Sequence, residues 1–248
     1  MLDITYPPIV ATAYTFFRAF NIHFTVTGGE HVPRTGGAVL ASNHVSYLDF
    51  IFCGYAARPS KRLVRFMAKK ATFDHKISGP LMRSMHHIPV DRSAGAGSLD
   101  HAVEWLRKGE VVGVFPEATI SQSFEVKDFK TGAVRMAAEA AVPVVPMITF
   151  GGQRLWTKGH KREMTRGTLV ALRVGEPFMV TPEDDPIEAT AHLRSVMQGL
   201  WDETLEAYEP KPEADAWWWP ARLGGGAPTL DEIRLREAQE RARREGKD

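Results

Sequence analysis

The sequence predicts an α/β domain with a largely parallel central sheet flanked by helices. Three observations carry this. Residues 38–41 and 111–115 are short continuous apolar runs, the pattern of strands buried on both faces, and 144–150 reads as another buried strand. Segments with helical periodicity lie between them, so strands and helices alternate through most of the chain. His44, Arg92 and Glu117 each follow a strand, at the carboxyl end where ligands of such sheets bind.

Taken in order, Tyr6-Pro7-Pro8 precedes a segment from Ile9 to Phe20, with Ile9, Ala13, Phe16, Phe17 and Phe20 on one helical face. At 1.5 Å per residue it reaches only ~20 Å, short of a ~30 Å hydrocarbon core. It either packs on the domain or lies in a membrane surface. Residues 22–27 alternate like a strand and stop at Gly28-Gly29. After a loop containing Pro33, Gly36 and Gly37 come the strand at 38–42, a polar corner, and a helix from 47 to about 57, before Pro59. Residues 61–70 read as a strand with basic ends. A short helical stretch to about 85 is broken at Gly79-Pro80. Residues 88–92 form a short strand and turn, and Pro89 confines it to an edge or a strand start.

Residues 93–98 are small and Gly-rich, a loop before the amphipathic helix at 99–108 that Gly109 ends. The strand at 111–115 delivers Pro116-Glu117-Ala118-Thr119. Further segments are a helix at 131–141, strands at 144–150 and 168–174, and a long helix at 186–208. The connection at 151–167 carries Arg154, Lys158, Lys161, Arg162 and Arg166 with Trp156. Past Pro210 come Trp217-Trp218-Trp219 and then a charged helix from Thr229, expected to be solvated or weakly packed. The division is an N-terminal helix (1–21), the α/β domain (22–208) and a C-terminal extension (209–248).

The chain has 248 residues, enough for one well-buried domain, and a formal net charge of only +1, which gives no global pull toward nucleic acid. One cysteine, Cys53, rules out an intrachain disulfide and a cysteine zinc cluster; it falls on an apolar helix face and is read as core. There is no stretch of ~20 apolar residues to span a bilayer. No basic segment precedes a cleavable hydrophobic core, so no secretory signal is expected. Adjacent His86 and His87 are read as facing opposite sides of a strand, and with His75 they lack a carboxylate set to complete a metal site, so no metal is expected.

The corner Asn43-His44-Val45-Ser46-Tyr47-Leu48-Asp49 joins an apolar strand to an apolar helix. His44 at the strand end and Asp49 in the first helical turn can come within hydrogen-bond reach. An imidazole held by a carboxylate keeps one tautomer and leaves its other nitrogen free as a general base. The same Ser46-x-x-Asp49 spacing is also a helix-capping signal, which accounts for Asp49 without any catalysis.

Four motifs in order resemble the glycerolipid acyltransferase family: Asn43-His44 with Asp49, then Ile88-Pro89-Val90-Asp91-Arg92, then Phe115 to Ser121, then Val144-Val145-Pro146-Met147-Ile148. Lys127 to Gly132, with Phe129-Lys130-Thr131-Gly132, also fits the family's pattern after the third motif. The resemblance covers roughly residues 25–175. The third motif departs from the usual Phe-Pro-Glu-Gly-Thr-Arg-Ser, with Ala118 for the glycine and Ile120 for the arginine. His87 stands where the family often has glycine.

The resemblance implies transfer of a long-chain acyl group from a thioester, on coenzyme A or acyl carrier protein, to a lysophospholipid hydroxyl. The acceptor of first choice is 1-acylglycerol 3-phosphate, giving phosphatidate; glycerol 3-phosphate, a glycosylated phosphoinositide, or water in a thioesterase are the alternatives. It implies His44 and Asp49 as the catalytic pair. Arg92, Glu117, Lys69, Lys130 and Thr119 become the substrate-binding groups. No cofactor is needed, and the enzyme works as a peripheral or monotopic protein on the cytoplasmic face of the cell membrane. Direct attack by the acceptor needs no enzyme nucleophile, consistent with the absence of a Gly-x-Ser-x-Gly elbow.

Overall fold

The computed structural model describes residues 5–76, 78–90 and 97–245. Among them the elements are α1 (Tyr6–Ala19), β1 (His23–Thr27), β2 (Ala38–Ser42), α2 (Asp49–Ala56), β3 (Val64–Lys69), α3 (Lys70–Asp74), α4 (Ser78–Ser84) and β4 (Ile88–Val90), followed by α5 (Gly97–Arg107), β5 (Val111–Val114), α6 (Gly132–Ala140), β6 (Val144–Phe150), β7 (Leu169–Val174), α7 (Pro186–Ala207) and α8 (Leu230–Glu245). The seven strands form one sheet in the order β1-β7-β6-β2-β5-β3-β4. Strands β6, β2, β5, β3 and β4 run parallel; β7 pairs antiparallel with β6, and β1 runs parallel to β7. The α/β architecture read from the sequence is the one found. Its largely parallel sheet gains an antiparallel margin because the long 151–167 connection lets the chain turn back.

The period-2 geometry of β2 shows why its run is apolar throughout. Val39 and Ala41 face one core with α5, α6 and α7, while Ala38 and Leu40 face a second core with α1 and α2. All five residues of β2 are buried. The core on the α1 side is rich in rings: Phe17 meets Phe24, Phe52 and Tyr55, and Tyr14 meets Tyr55. So α1 packs through Phe17, and the Tyr6 hydroxyl donates to the carbonyl of Val64 at 2.7 Å. Pro89 lies in the edge strand β4, where its missing N–H costs the ladder nothing.

Several expectations need correction. The break in the helical stretch falls before Gly79-Pro80, which sit in the first turn of α4, where proline is tolerated. His86 and His87 precede β4, with His86 in a left-handed turn at φ 56, so the pair does not straddle a strand. Residues 97–98 already belong to α5, and 93–96 lie outside the described residues. For the tryptophans, where the sequence leaves domain packing and membrane contact equally open, Trp219 is buried, and it and Trp218 meet Phe150 and Tyr208. The charged tail helix is anchored rather than loosely solvated. Thr229 and Glu232 cap its start reciprocally, Ile233 is 1% exposed, and Arg234 Nη2 donates to both carboxylate oxygens of Asp128 at 3.1 and 3.2 Å.

Candidate active site

The parallel strands all deliver their carboxyl ends to one edge. There β2 hands over to Asn43-His44, β5 to Phe115-Pro116-Glu117 and β3 to Lys70. Asn43, fully buried, replaces the next rung of the sheet. Its Nδ2 donates to the Thr149 carbonyl at 3.1 Å, and its Oδ1 accepts from the Thr149 amide at 2.7 Å. The chain is thereby turned so that His44 Nδ1 stands 2.9 Å from Asp49 Oδ2. The same oxygen accepts the amides of Val45 and Ser46, both at 2.7 Å, and Oδ1 accepts the Thr149 hydroxyl at 3.0 Å. A carboxylate with no exposed surface and four donors around it is an acceptor only, so His44 Nδ1 carries the proton. Its Nε2 is left as the basic nitrogen and has no partner among the described residues. A fifth of the His44 side chain remains exposed.

Capping and orienting prove to be one arrangement. The return of the Asp49 carboxylate to the Ser46 amide is half of a capping box. The other half is diverted: the Ser46 hydroxyl accepts the Leu48 amide at 3.1 Å and donates to the Trp156 carbonyl at 2.8 Å. Ser46 is thus committed to structure. Cys53, fully buried, has its thiol pushed up chiefly by that burial and is no nucleophile.

Behind His44 stand two rings. The imidazole stacks on Phe115 at 4.2 Å and 14°, and Phe115 lies nearly parallel to Phe66 at 5.8 Å. Gly113 makes room for this pile, because a Cβ there would lie 2.4 Å from the Phe66 ring.

Glu117 follows within the same edge and is 5% exposed. Neither carboxyl oxygen has a hydrogen-bond partner among the described residues. Burial drives its pKa well above the ordinary carboxylate value, and Asp49 adds to the rise. The Lys127 ammonium and the nearby amides of His44 and Lys127, which fall outside hydrogen-bond geometry, pull the other way. The outcome is a carboxyl whose ionisation burial opposes and whose oxygens lack a hydrogen-bond partner among the described residues, beside the His44–Asp49 pair. Ala118 follows at φ 61, the left-handed conformation glycine adopts freely. Ile120 is turned into the core at 6% exposure, so no cation projects from that position.

Of the expected phosphate ligands, Lys69 ends β3 and Lys130 sits beside the β5 exit, its amide donating to the Pro116 carbonyl at 2.9 Å. Both are exposed, and neither forms an ion pair among the described residues. Lys69 is in register with Val90, the last residue of β4. Arg92 and its neighbour Asp91 lie outside the described residues. Thr119 is occupied by another group: it accepts from Lys127 Nζ at 2.6 Å and donates to Glu237 of α8 at 3.2 Å. Sequence reasoning missed Thr149 and Glu237, and it placed Lys127 only at the start of the Lys127–Gly132 pattern, without a role. Nothing local marks the first, 100 positions beyond its partner Asp49.

Among the described residues no three His, Cys, Asp or Glu side chains converge to hold a metal. His87 is committed to the fold, its Nδ1 accepting the Phe66 amide at 2.9 Å; burial first, then Arg65 and His86, lower its pKa to about 4. Exposed rings lie on and beside the 43–49 corner. Tyr47, Phe50 and Trp156 are exposed, Tyr47 packs on Trp156, and the Arg162 guanidinium lies 5.4 Å over the Trp156 ring. The 151–167 connection is latched to the corner by Thr157, which donates to the Val45 carbonyl at 2.7 Å.

With this geometry in hand, known proteins offer a comparison. The family model described as Acyltransferase matches residues 23–149. The 1-acyl-sn-glycerol-3-phosphate acyltransferase of Bacillus subtilis (strain 168) is 33% identical over 170 residues, 64% of this chain and 79% of that protein. The protein of the same name from Limnanthes douglasii is 33% identical over 147 residues, 58% of this chain, and the match spans only half of its length. Among solved structures, the 1-acyl-sn-glycerophosphate acyltransferase PlsC from Thermotoga maritima superposes with a TM-score of 0.62 at 25% identity, covering 79% of this chain and 78% of the other.

Proposed function

The chain belongs to the acyltransferase family, and we propose that it moves an acyl group from a thioester to the free hydroxyl of 1-acylglycerol 3-phosphate, giving phosphatidate. The observation that carries this reading is the His44–Asp49 pair at 2.9 Å, with Nε2 unengaged at the carboxyl edge of the sheet. Nε2 takes the proton of the acceptor hydroxyl as the oxygen attacks the thioester carbonyl. The resulting tetrahedral adduct collapses, breaking the C–S bond, and the proton on Nε2 passes to the departing thiolate or to water. The Asp49 carboxylate stabilises the transient imidazolium and keeps the ring from flipping. The reaction as written needs no cofactor and no covalent enzyme intermediate.

In this reading Glu117 orients the acceptor hydroxyl toward His44 and finds there the partner it otherwise lacks. Lys69 and Lys130, with Arg92, supply charge for the acceptor phosphate. The donor is acyl coenzyme A or acyl carrier protein. Both acyl chains are apolar, so the exposed rings of Tyr47, Phe50 and Trp156 sit against the cytoplasmic face of the membrane as a peripheral contact. No helix among the described residues is long and apolar enough to cross a membrane.

The test is acyl-thioester consumption with a panel of acceptors, products identified by mass spectrometry. His44→Ala lowers kcat by about 10²–10⁴-fold, the usual worth of a general base. Asp49→Asn, which can neither accept four donors nor hold the tautomer, falls in the same range. A His44→Ala protein that is folded and turns over at the original rate removes the mechanism.

A further inference from the structure

The C-terminal helix α8 lies outside the segment matched by the family model, yet it reaches the third-motif loop. Lys127, 7% exposed, points its ammonium at two oxygens: the Thr119 hydroxyl at 2.6 Å and Glu237 Oε1 at 2.5 Å. The Thr119 hydroxyl donates to the same carboxylate oxygen at 3.2 Å. A nearly buried ammonium and a hydroxyl thus converge on one anionic oxygen supplied by the chain itself. This loop also carries Glu117, two residues before Thr119.

We propose that Lys127 and Thr119 form a phosphate-binding subsite for the acceptor, occupied in the resting chain by the Glu237 carboxylate as an internal stand-in. The inference rests on the acyl-acceptor reading above and deepens it. An ammonium withdrawn from water requires an anion, and a carboxylate or a phosphate oxygen meets the same two donors. A phosphomonoester carries nearly two charges and three acceptor oxygens at neutral pH, so it outcompetes a single carboxylate. The subsite also supplies a cation beside a loop whose Ile120 is turned into the core. Glu237 can yield without undocking the helix. Ile233 and the Arg234–Asp128 ion pair hold α8 independently, and Glu237 itself is 21% exposed. The tail therefore sets a threshold of acceptor concentration below which its own side chain fills the subsite.

The experiment compares the full chain with Glu237→Gln and with Glu237→Gln/Lys127→Met, each checked for fold by circular dichroism. In the first arm inorganic phosphate is titrated in thermal unfolding, which does not depend on turnover. Glu237→Gln gains phosphate stabilisation at about fivefold lower concentration than the original chain, and the double variant loses it. In the second arm the KM for 1-acylglycerol 3-phosphate falls about fivefold in Glu237→Gln, with the change in KM rather than kcat. Phosphate midpoints equal in all three proteins overturn the subsite, whatever the activity. A shifted phosphate midpoint with an unchanged KM overturns its assignment to the acceptor and leaves a site for free phosphate. Absence of acyl transfer in the original chain refutes the catalytic reading, while the phosphate arm still decides the subsite.

Discussion

At the scale of single residues, Glu117 differs from the other groups of the site in having nothing to bond to. Its raised pKa means that the folded protein holds the proton where the unfolded chain has released it. Stability is therefore fully retained below the ordinary carboxylate range and falls as pH rises from that range toward the folded value. We expect Glu117→Gln to abolish this slope. In urea unfolding the variant should exceed the original protein in stability at pH 8 and match it at pH 4, while acyl transfer falls. A difference of the same size at both pH values would place the raised pKa elsewhere. Asp49 presents the contrary case, a buried carboxylate surrounded by four donors.

At the scale of elements, the turn after β5 is a costly one. Ala118 holds φ 61, where an L side chain costs roughly 1–2 kcal/mol. Ala118→Gly should stabilise by about 0.5–1 kcal/mol after its extra unfolded-state entropy is subtracted. For a chain of this size that is a rise of about 1–4 °C in Tm by calorimetry. An unchanged or lower Tm would mean that the Ala118 methyl makes packing contacts of equal worth. The His44–Asp49 pair was legible because five positions across one corner leave little freedom, and the strands because β-branched runs buried on two faces read plainly. The Asn43–Thr149 lock was not, since its partners lie 106 positions apart and threonine in a strand carries no signal of its role. The docking of α8 was hidden for a similar reason. A helix with one buried isoleucine looks solvated until the charges that answer it, Asp128 and Lys127, are brought alongside by the fold.

At the scale of the molecule, the exposed rings of Tyr47, Phe50 and Trp156 and the exposed Val10 of α1 are surfaces that α/β packing leaves open. Flotation with anionic phospholipid vesicles should carry the protein upward. Replacing Tyr47 and Phe50 together by serine should weaken partition by about tenfold. Raised salt should weaken it further through Lys161 and Arg162, both exposed. Equal flotation of the two proteins would move the membrane contact elsewhere. The missing side chain at Gly113 has a reach well beyond its own strand. Phe66 settles into that vacancy, Phe115 rests against Phe66, and the imidazole leans on Phe115, so the attitude of the proton acceptor is inherited from the middle of the sheet. One methyl added in the interior would tilt the reacting nitrogen without altering any group that substrate meets.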